Sequence, residues 1–511
     1  MMPANNTRDE LQQWASAFGG KTAWMLSGGR DVISYRELDA RANRTAQLLL
    51  SIGLRSRDTI ALRLPNCAEF LELCWAARRL GLYYTPVSAR LTPVELEYIL
   101  RDSGARAFFT EAQTDFEFPG HMYEVGSDRG AGNDYATCRD AFDSNVSLPP
   151  SPVGKDFVYS SGTTGRPKGI KRSLSVDLMQ EARLSQWIQA FSKHDAESVC
   201  LIGAPLYHAA PLRFAMRSLQ HGGTLIGMSK FDAQSALATI ESNKVTHSLW
   251  VPTMFYRMLA LPEAVRNSHS VGSMKCAVHS GAPCAPDLKR RMIEWWGPVI
   301  WEYYAASEGN GATKISSHES LSRPGSVGKA VLGTIRILGP DGEELPVGVD
   351  GDVYFEGGPK FHYHGDPDKT AKSRDARGRT TVGDVGHLDE DGYLYLSDRK
   401  AFTIISGGVN VYPTEIENAL CSHPAVADAA VFGVPNVEYG EEVKAVIELQ
   451  PGFQAGDEMA LRLMEHCRET LSSIKRPRSI SFEARLPREE NGKLYKADLR
   501  AKYSHQATEI K

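Results

Sequence analysis

The chain has 511 residues, too many for one hydrophobic core, and at roughly 100–200 residues per domain it divides into two or three units. A net charge of −4 gives no support for nucleic acid or an anionic membrane as the main partner, and no apolar run approaches the roughly 20 residues of a membrane span. Eight scattered cysteines with no CxxC pair, and a polar start over residues 1–13 with no apolar signal core, point to free thiols and a cytoplasmic address.

Ser34-Tyr35-Arg36-Glu37 has the capping-box pattern, and Leu38, Ala42, Thr45, Ala46 and Leu49 follow at helical spacing up to Gly53. Residues 59–64 read as a strand, 68–80 as a helix stopped by Gly81, and 83–87 as a second strand. Thr92-Pro93-Val94-Glu95 is another capping box, with proline at the first helical position, and 105–110 is again strand-like. Strands and helices alternating at this pace predict a parallel sheet covered on both faces. Residues 111–155 carry weaker patterns and read as connection. The alternation resumes with apolar runs at 199–203, 224–228, 248–252 and 274–279, separated by helical stretches that include 233–242 and 287–296. From Gly325 to Leu396 the texture is short β-like runs with Gly and Pro turns. A smaller unit begins at Lys400, with helices at 415–421 and 458–471 and strands at 427–434, 442–448 and 478–483. Asp398-Arg399-Lys400 is the natural boundary between the two. The expected fold is α/β: a large N-terminal region of parallel α/β subdomains plus a β-rich subdomain, then a small α+β C-terminal domain.

One stretch stands apart. Tyr159-Ser160-Ser161-Gly162-Thr163-Thr164-Gly165-Arg166-Pro167-Lys168-Gly169-Ile170 packs three glycines, four hydroxyls and two cations into a dozen residues. Glycines let backbone N–H groups close on an anion, hydroxyls turn toward phosphate oxygens, and Arg166 and Lys168 add charge. The apolar run Phe157-Val158-Tyr159 predicts a strand, which would place the loop at a strand's carboxyl end. It is not the GxxxxGK[ST] phosphate loop, because Lys168 follows Pro167 and no Ser or Thr follows it.

The stretch resembles the signature loop of the AMP-forming adenylating enzymes, which include acyl- and aryl-CoA synthetases. Six further segments match that family's wording. Ser280-Gly281-Ala282-Pro283 resembles the turn that lies flat against adenine. Trp301-Glu302-Tyr303-Tyr304-Ala305-Ala306-Ser307-Glu308 resembles the Tyr-Gly-x-Thr-Glu segment, with serine in place of threonine and Ala305 in place of glycine. Thr381-Val382-Gly383-Asp384 resembles Thr-Gly-Asp, Asp398-Arg399-Lys400 the family's hinge, and Leu486-Pro487-Arg488-Glu489-Glu490-Asn491-Gly492-Lys493 the C-terminal catalytic loop. Ile404-Ile405-Ser406-Gly407-Gly408-Val409-Asn410 matches the place where CoA ligases admit the pantetheine thiol.

The resemblance implies a role for each residue. Ser160, Ser161, Gly162, Thr163, Thr164, Gly165 and Lys168 would hold the β- and γ-phosphates of ATP. Gly281, Ala282 and Pro283 would lie against the base, with Tyr303 beside Tyr304, which would stack on it. Asp384 and Arg399 would take the ribose hydroxyls, Ser307 a phosphate oxygen, and Glu308 a magnesium ion. Lys493 would bridge the carboxylate and the α-phosphate as the acyl-adenylate forms. Rotation of a mobile domain, residues 399–511, against residues 1–397 about Asp398 would then bring Gly407 and Gly408 in with coenzyme A.

His208, in Tyr207-His208-Ala209-Ala210-Pro211, reads as gate or wall of the acyl pocket, since no deprotonation needs it. Ala209, Val278, Ala305 and Ala306 line that pocket in the resemblance, and small walls predict a medium- or long-chain or bulky hydrophobic acid. The wording is closest to bacterial synthetases for fatty or steroid-side-chain acids. An aryl-CoA ligase, a stand-alone adenylation enzyme loading a carrier protein, and a non-catalytic nucleotide-binding relative are the alternatives. The expected partners are the small-molecule acid, ATP and CoA, with no nucleic acid. The oligomeric state is left open, a homodimer included.

Overall fold

The computed structural model describes residues 9–111, 114, 116–126, 133–160, 167–174, 186–399, 402–406, 409–436, 439–488 and 494–506. Its largest sheet has thirteen strands. In one half, Thr22–Leu26, Thr224–Gly227, Val199–Ile202, His247–Trp250, Cys276–His279 and Ile300–Ala305 lie side by side, each parallel to the next. Their short apolar runs follow from burial on both faces. Cys200, Leu249 and Val278 enter one core, while their chain neighbours Leu201, Trp250 and Ala277 enter the other. Past Ala305 the same sheet turns antiparallel through Ala312–Ser316, Ser326–Leu332, Leu394–Arg399, Asp384–Leu388, Gly351–Glu356 and Thr334–Leu338. That switch is the change of texture that begins near Gly325 in the sequence.

A second sheet is wholly parallel. Thr59–Arg63 lies at its centre, Tyr83–Pro86 and Lys155–Asp156 on one side, Ala105–Thr110 and His121–Glu124 on the other. Thr92 and Glu95 form the reciprocal capping box expected of them, and Ser34 caps the helix Tyr35–Ser51 through the Glu37 N–H. The last unit holds a five-stranded sheet in which Val426–Asn436 and Gly440–Leu449 form the long central hairpin and Ser479–Phe482 pairs in parallel. Helices Pro413–Cys421 and Asp457–Thr470 pack on it around Ile416, Leu420 and Leu463.

Two expectations are corrected. Residues 111–155 are not mere connection, since they contain the edge strand His121–Glu124 and the helix Tyr135–Asp140. Tertiary contacts hold that helix, which is too short to stand on propensity. Arg139 pairs with the fully buried Glu72 at 2.9 Å, and the buried Tyr135 hydroxyl lies 2.6 Å from that of Thr45. The signature stretch, in turn, does not follow a strand of a parallel sheet. Lys155–Asp156 ends the parallel sheet, and Val158–Ser160 then pairs antiparallel with Lys168–Lys171, which pairs antiparallel with His362–Tyr363. The two strands that flank the loop belong to a separate three-stranded sheet. Gly169 makes the tight return possible, because a Cβ there would lie 2.8 Å from the Phe157 ring.

Candidate active site

The motif segments, hundreds of residues apart in sequence, line one deep cleft. Ser160 and Lys168 reach it from the signature hairpin, and His208 and Ala209 from the start of the helix Ala209–Gln220. Gly281, Ala282 and Pro283 come from the turn after Cys276–His279. Tyr303, Tyr304, Ala305, Ala306, Ser307 and Glu308 come from the end of Ile300–Ala305, and Asp384 from the start of its strand. Val278 differs from expectation. It is fully buried and does not line the cleft; it packs in the core against which the cleft-lining Tyr207, Trp187 and Tyr303 rest, so it lies one layer behind the wall. Ser161, Gly162, Thr163, Thr164, Gly165, Gly407, Gly408 and Lys493 lie outside the described residues. So does the side chain of Arg399, whose backbone sits opposite Asp384 in the strand pairing.

Glu308 is nearly buried in the hairpin loop between Ile300–Ala305 and Ala312–Ser316. Its Oε1 accepts a 2.9 Å hydrogen bond from the Tyr363 hydroxyl. Tyr363 faces Ile170 in the signature sheet, and Lys168 Nζ lies 5.7 Å from its ring centroid. A carboxylate, a phenol and an ammonium are thereby set together at the phosphate end. Among the described residues no group of three or more His, Cys, Asp or Glu could hold a metal ion. Glu308 offers the kind of hard oxygen donor that suits a magnesium ion.

At the other end, Gly281 adopts φ +88°, a left-handed turn that carries the backbone flat along the cleft wall. The Ser280 N–H donates to Trp250 O at 3.2 Å, tying the turn to its neighbouring strand. Burial raises the Tyr303 phenol pKa, against the opposing effects of its hydrogen bond with Ser280 and the charges of Arg217 and Arg213. The Tyr304 phenol donates to Asp384 Oδ2, and its ring stacks on Phe355 at 6.3 Å. Asp384 is almost fully buried, a carboxylate held at the cleft with acceptor capacity beyond this one bond.

Two charge networks gave no readable signal in the sequence. Asp156, where the second sheet hands the chain to the signature hairpin, pairs with Arg213 at 2.7 Å and with Arg172. Arg213 also donates to Ser307 O at 3.1 Å. Burial works to raise the Asp156 pKa, yet the two guanidiniums outweigh it and hold the carboxyl well below its usual range. One carboxylate thus locks together the hairpin, the helix after His208 and the loop that carries Glu308. Beneath the Ser280–Pro283 turn, Lys289 pairs with Glu302, whose Oε2 lies 3.9 Å from His279 Nε2. A lone Asp and a mid-helix Arg have no motif around them, so only the fold reveals such pairs.

Fold and cleft together define an adenylate-forming enzyme: a nucleotide-binding α/β body whose motifs converge on one cleft, with an α+β unit at its C-terminal end. Comparison with known proteins agrees. The AMP-binding enzyme family matches residues 11–360, its C-terminal domain matches residues 415–493, and the chain belongs to that family. It is 33% identical to a feruloyl-CoA synthase of Amycolatopsis over 93% of this chain and 95% of that one. It is 29% identical to the long-chain-fatty-acid–CoA ligase FadD13 of Mycobacterium tuberculosis, covering 92% of this chain and 93% of the other. Among solved structures it resembles ATP-bound MatB from Rhodopseudomonas palustris, with a TM-score of 0.82 at 28% identity over 97% of this chain and 99% of that one.

Proposed function

We propose that this cleft joins a carboxylic acid to coenzyme A at the expense of ATP, first making an acyl-adenylate and pyrophosphate, then a thioester and AMP. The observation that carries the reading is convergence. Lys168 and Ser160, the Gly281 turn, Ser307 with Glu308, and Asp384 all open onto the same space. A nucleotide lying along the cleft accounts for the signature hairpin at one end and the buried Asp384 and the Gly281 turn at the other.

The acid's carboxylate attacks the α-phosphorus, where negative charge grows, so the chain must hold cations and donors there in advance. Lys168 and the hydroxyls of the signature hairpin bind the outer phosphates, and Ser307 adds a donor. Asp384 accepts from the ribose, with Arg399 opposite it in the strand pair. Tyr304 is held upright by its bond to Asp384 and forms one wall of the base site. Magnesium, when bound, offsets phosphate charge, and Glu308, oriented by Tyr363, is its protein ligand. Lys493 bridges the reacting carboxylate and the α-phosphate. Arg488 and Leu494, which bracket its loop, pair as an antiparallel bridge and both line the cleft, which supports that role.

The second half-reaction requires residues 399–511 to turn about Asp398, withdrawing Lys493 and presenting Gly407 and Gly408. The hairpin Ile404–Ser406 with Val409–Val411 supports this reading. Its Ile405 and Val409 stand 56% and 46% exposed, apolar side chains suited to docking elsewhere. Among the described residues no helix is long and apolar enough to cross a membrane.

The acid has a bulky hydrophobic body. His208, Ala209, Ala305 and Ala306 form the near wall. An aryl acid is the second reading, favoured by a flat-sided continuation in which Trp187 and Tyr303 meet edge to face at 5.7 Å with Tyr207 nearby, and by the feruloyl-CoA synthase relative. Pyrophosphate release measured over a panel of alkanoic and cinnamic or benzoic acids, with and without CoA, tests all of this. Acid-dependent pyrophosphate release together with CoA-dependent thioester is the expected result. ATP binding without release on any acid would overturn it.

A further inference from the structure

Beyond the near wall, the helix Ala209–Gln220 presents two arginines one turn apart, Arg213 and Arg217, and residues so spaced share a helix face. Both line the cleft. Their circumstances differ. Arg213 is fully employed between Asp156 and Ser307 O. Arg217 has no carboxylate within 4.0 Å and no side-chain hydrogen bond among the described residues. Its charged neighbours are Arg213 and, nearby, His221 and His194, both kept neutral by burial, with the Tyr303 ring in front. Of the acids along the cleft wall, Glu10 accepts from Gln220 at 3.3 Å and pairs with Arg78 at 3.7 Å, and Asp156 is held by Arg213 and Arg172.

Arg217 is half-buried in the cleft wall, and a partly desolvated arginine with no counter-charge among the described residues is placed to meet an anion that enters the cleft. Burial lowers the Arg217 pKa to about 10, Arg213 adding to this and Tyr303 opposing it, which is the direction a missing anion produces. The Trp187 and Tyr303 rings, in edge-to-face contact, line the same cleft as Arg217, and a guanidinium fork matches a carboxylate in two parallel hydrogen bonds.

We infer that Arg217 anchors the far end of the acyl substrate, and that the preferred acid carries a second carboxylate there, beyond a hydrophobic or aryl body. The inference rests on the acid-activating function proposed above. Helix pitch sets the scale: Arg217 lies about 5–6 Å further along the helix than Arg213, whose guanidinium touches the Ser307 backbone at the phosphate end. A short or single-ring diacid spans that distance better than a long chain. A plain alkyl tail would instead bury the charge further with nothing to meet it.

The test is kcat/KM for pyrophosphate release with three matched pairs: adipate against hexanoate, terephthalate against 4-methylbenzoate, and 4-carboxycinnamate against 4-methylcinnamate. Each is measured on the full-length enzyme and on R217M, R217K and R217Q. At least one diacid should exceed its partner by roughly 10- to 100-fold in the native enzyme, mostly through KM, the range expected of a charge-assisted bidentate contact. R217M and R217Q should abolish or invert that preference, and R217K should keep part of it. Thermal midpoints should not fall in R217M, since it removes an uncompensated charge; a structural role for Arg217 would lower them. Activity on the monoacids with no diacid preferred, or a preference untouched by R217M and R217Q, would overturn the inference and leave acid activation standing. No pyrophosphate release with any acid would overturn acid activation itself, and this inference with it.

Discussion

The Tyr363 hydroxyl donates to Glu308 Oε1 at 2.9 Å and so fixes a carboxylate beside Lys168 in the cleft. Tyr363 belongs to a strand of the signature sheet and Glu308 to a hairpin of the main sheet, so the bond also registers the two sheets. Tyr363→Phe keeps the ring and its contact with Phe361 but frees the carboxylate to rotate. Groups that orient a metal ligand are worth roughly 10-fold or more in metal affinity. The half-saturating magnesium concentration for pyrophosphate release should rise by about that factor, with the thermal midpoint nearly unchanged. An unaltered magnesium titration would remove Glu308 from the metal role or Tyr363 from its support.

Asp156 is the other point where separate segments are joined. Asp156→Asn keeps the shape but leaves Arg172 and Arg213 without the anion that compensates them. Removing one partner of a buried pair costs about 3–5 kcal/mol, because the remaining charge stays desolvated. Denaturant midpoints should fall accordingly. Arg213→Met in the D156N background should add much less than it does alone, since the two act as a unit. Additive losses would show that the pair is not coupled. The Ser307 loop should also loosen when Arg213 is lost, so kcat should fall more than stability alone explains.

Much of this was legible in the sequence, for physical reasons that differ by element. The parallel strands were readable because burial on both faces forces continuous apolar runs such as Val199–Ile202, and the helix Ala233–Ser242 because its apolar face repeats at helical spacing. The segments that converge on the cleft were readable through their resemblance to the motifs of the adenylating family. The strand His121–Glu124 and the helix Tyr135–Asp140 were not, since partners far away in sequence hold them. The same is true of Asp156, Lys289 and Arg217: a single charged residue carries no pattern, and only the folded chain shows whether it has a partner. The place of Val278 was lost for a smaller reason: its strand is buried on both faces, so Val278 sits behind the wall that Tyr303 and Trp187 present to the cleft.

Lys493→Ala should separate the two half-reactions. The proposed function gives Lys493 a part in the adenylation step, where charge develops at the α-phosphorus, and none in attack by the thiol. Pyrophosphate release should therefore drop by about 100-fold or more, the scale of losing a charged group that acts only in the transition state. Thioester formation from supplied acyl-adenylate should stay within a few-fold of the native rate. An equal loss in both assays would contradict the division of labour between Lys493 and the Gly407-Gly408 segment.

Stability should decline on mild acidification, and the sign follows from buried histidines. Burial holds His279 at a pKa of about 4, with Glu302 opposing and Lys289 assisting, and holds His194 at about 2, with His247, Arg217 and His221 assisting. Both rings are almost fully buried. Unfolded, each titrates near 6.5, so between pH 6.5 and the folded value the unfolded chain binds the extra proton and stability rises with pH. From pH 7 to pH 5 each should forfeit about 2 kcal/mol. Asp156 contributes nothing to that window, because its folded pKa lies below the unfolded 3.8 and its stabilisation is lost only on further acidification. Urea midpoints at pH 7, 6 and 5 should fall steadily, and His279→Leu should shrink the fall by about the share of one histidine. A midpoint flat across that range, or a fall unchanged in H279L, would mean that these rings protonate in place without unfolding cost.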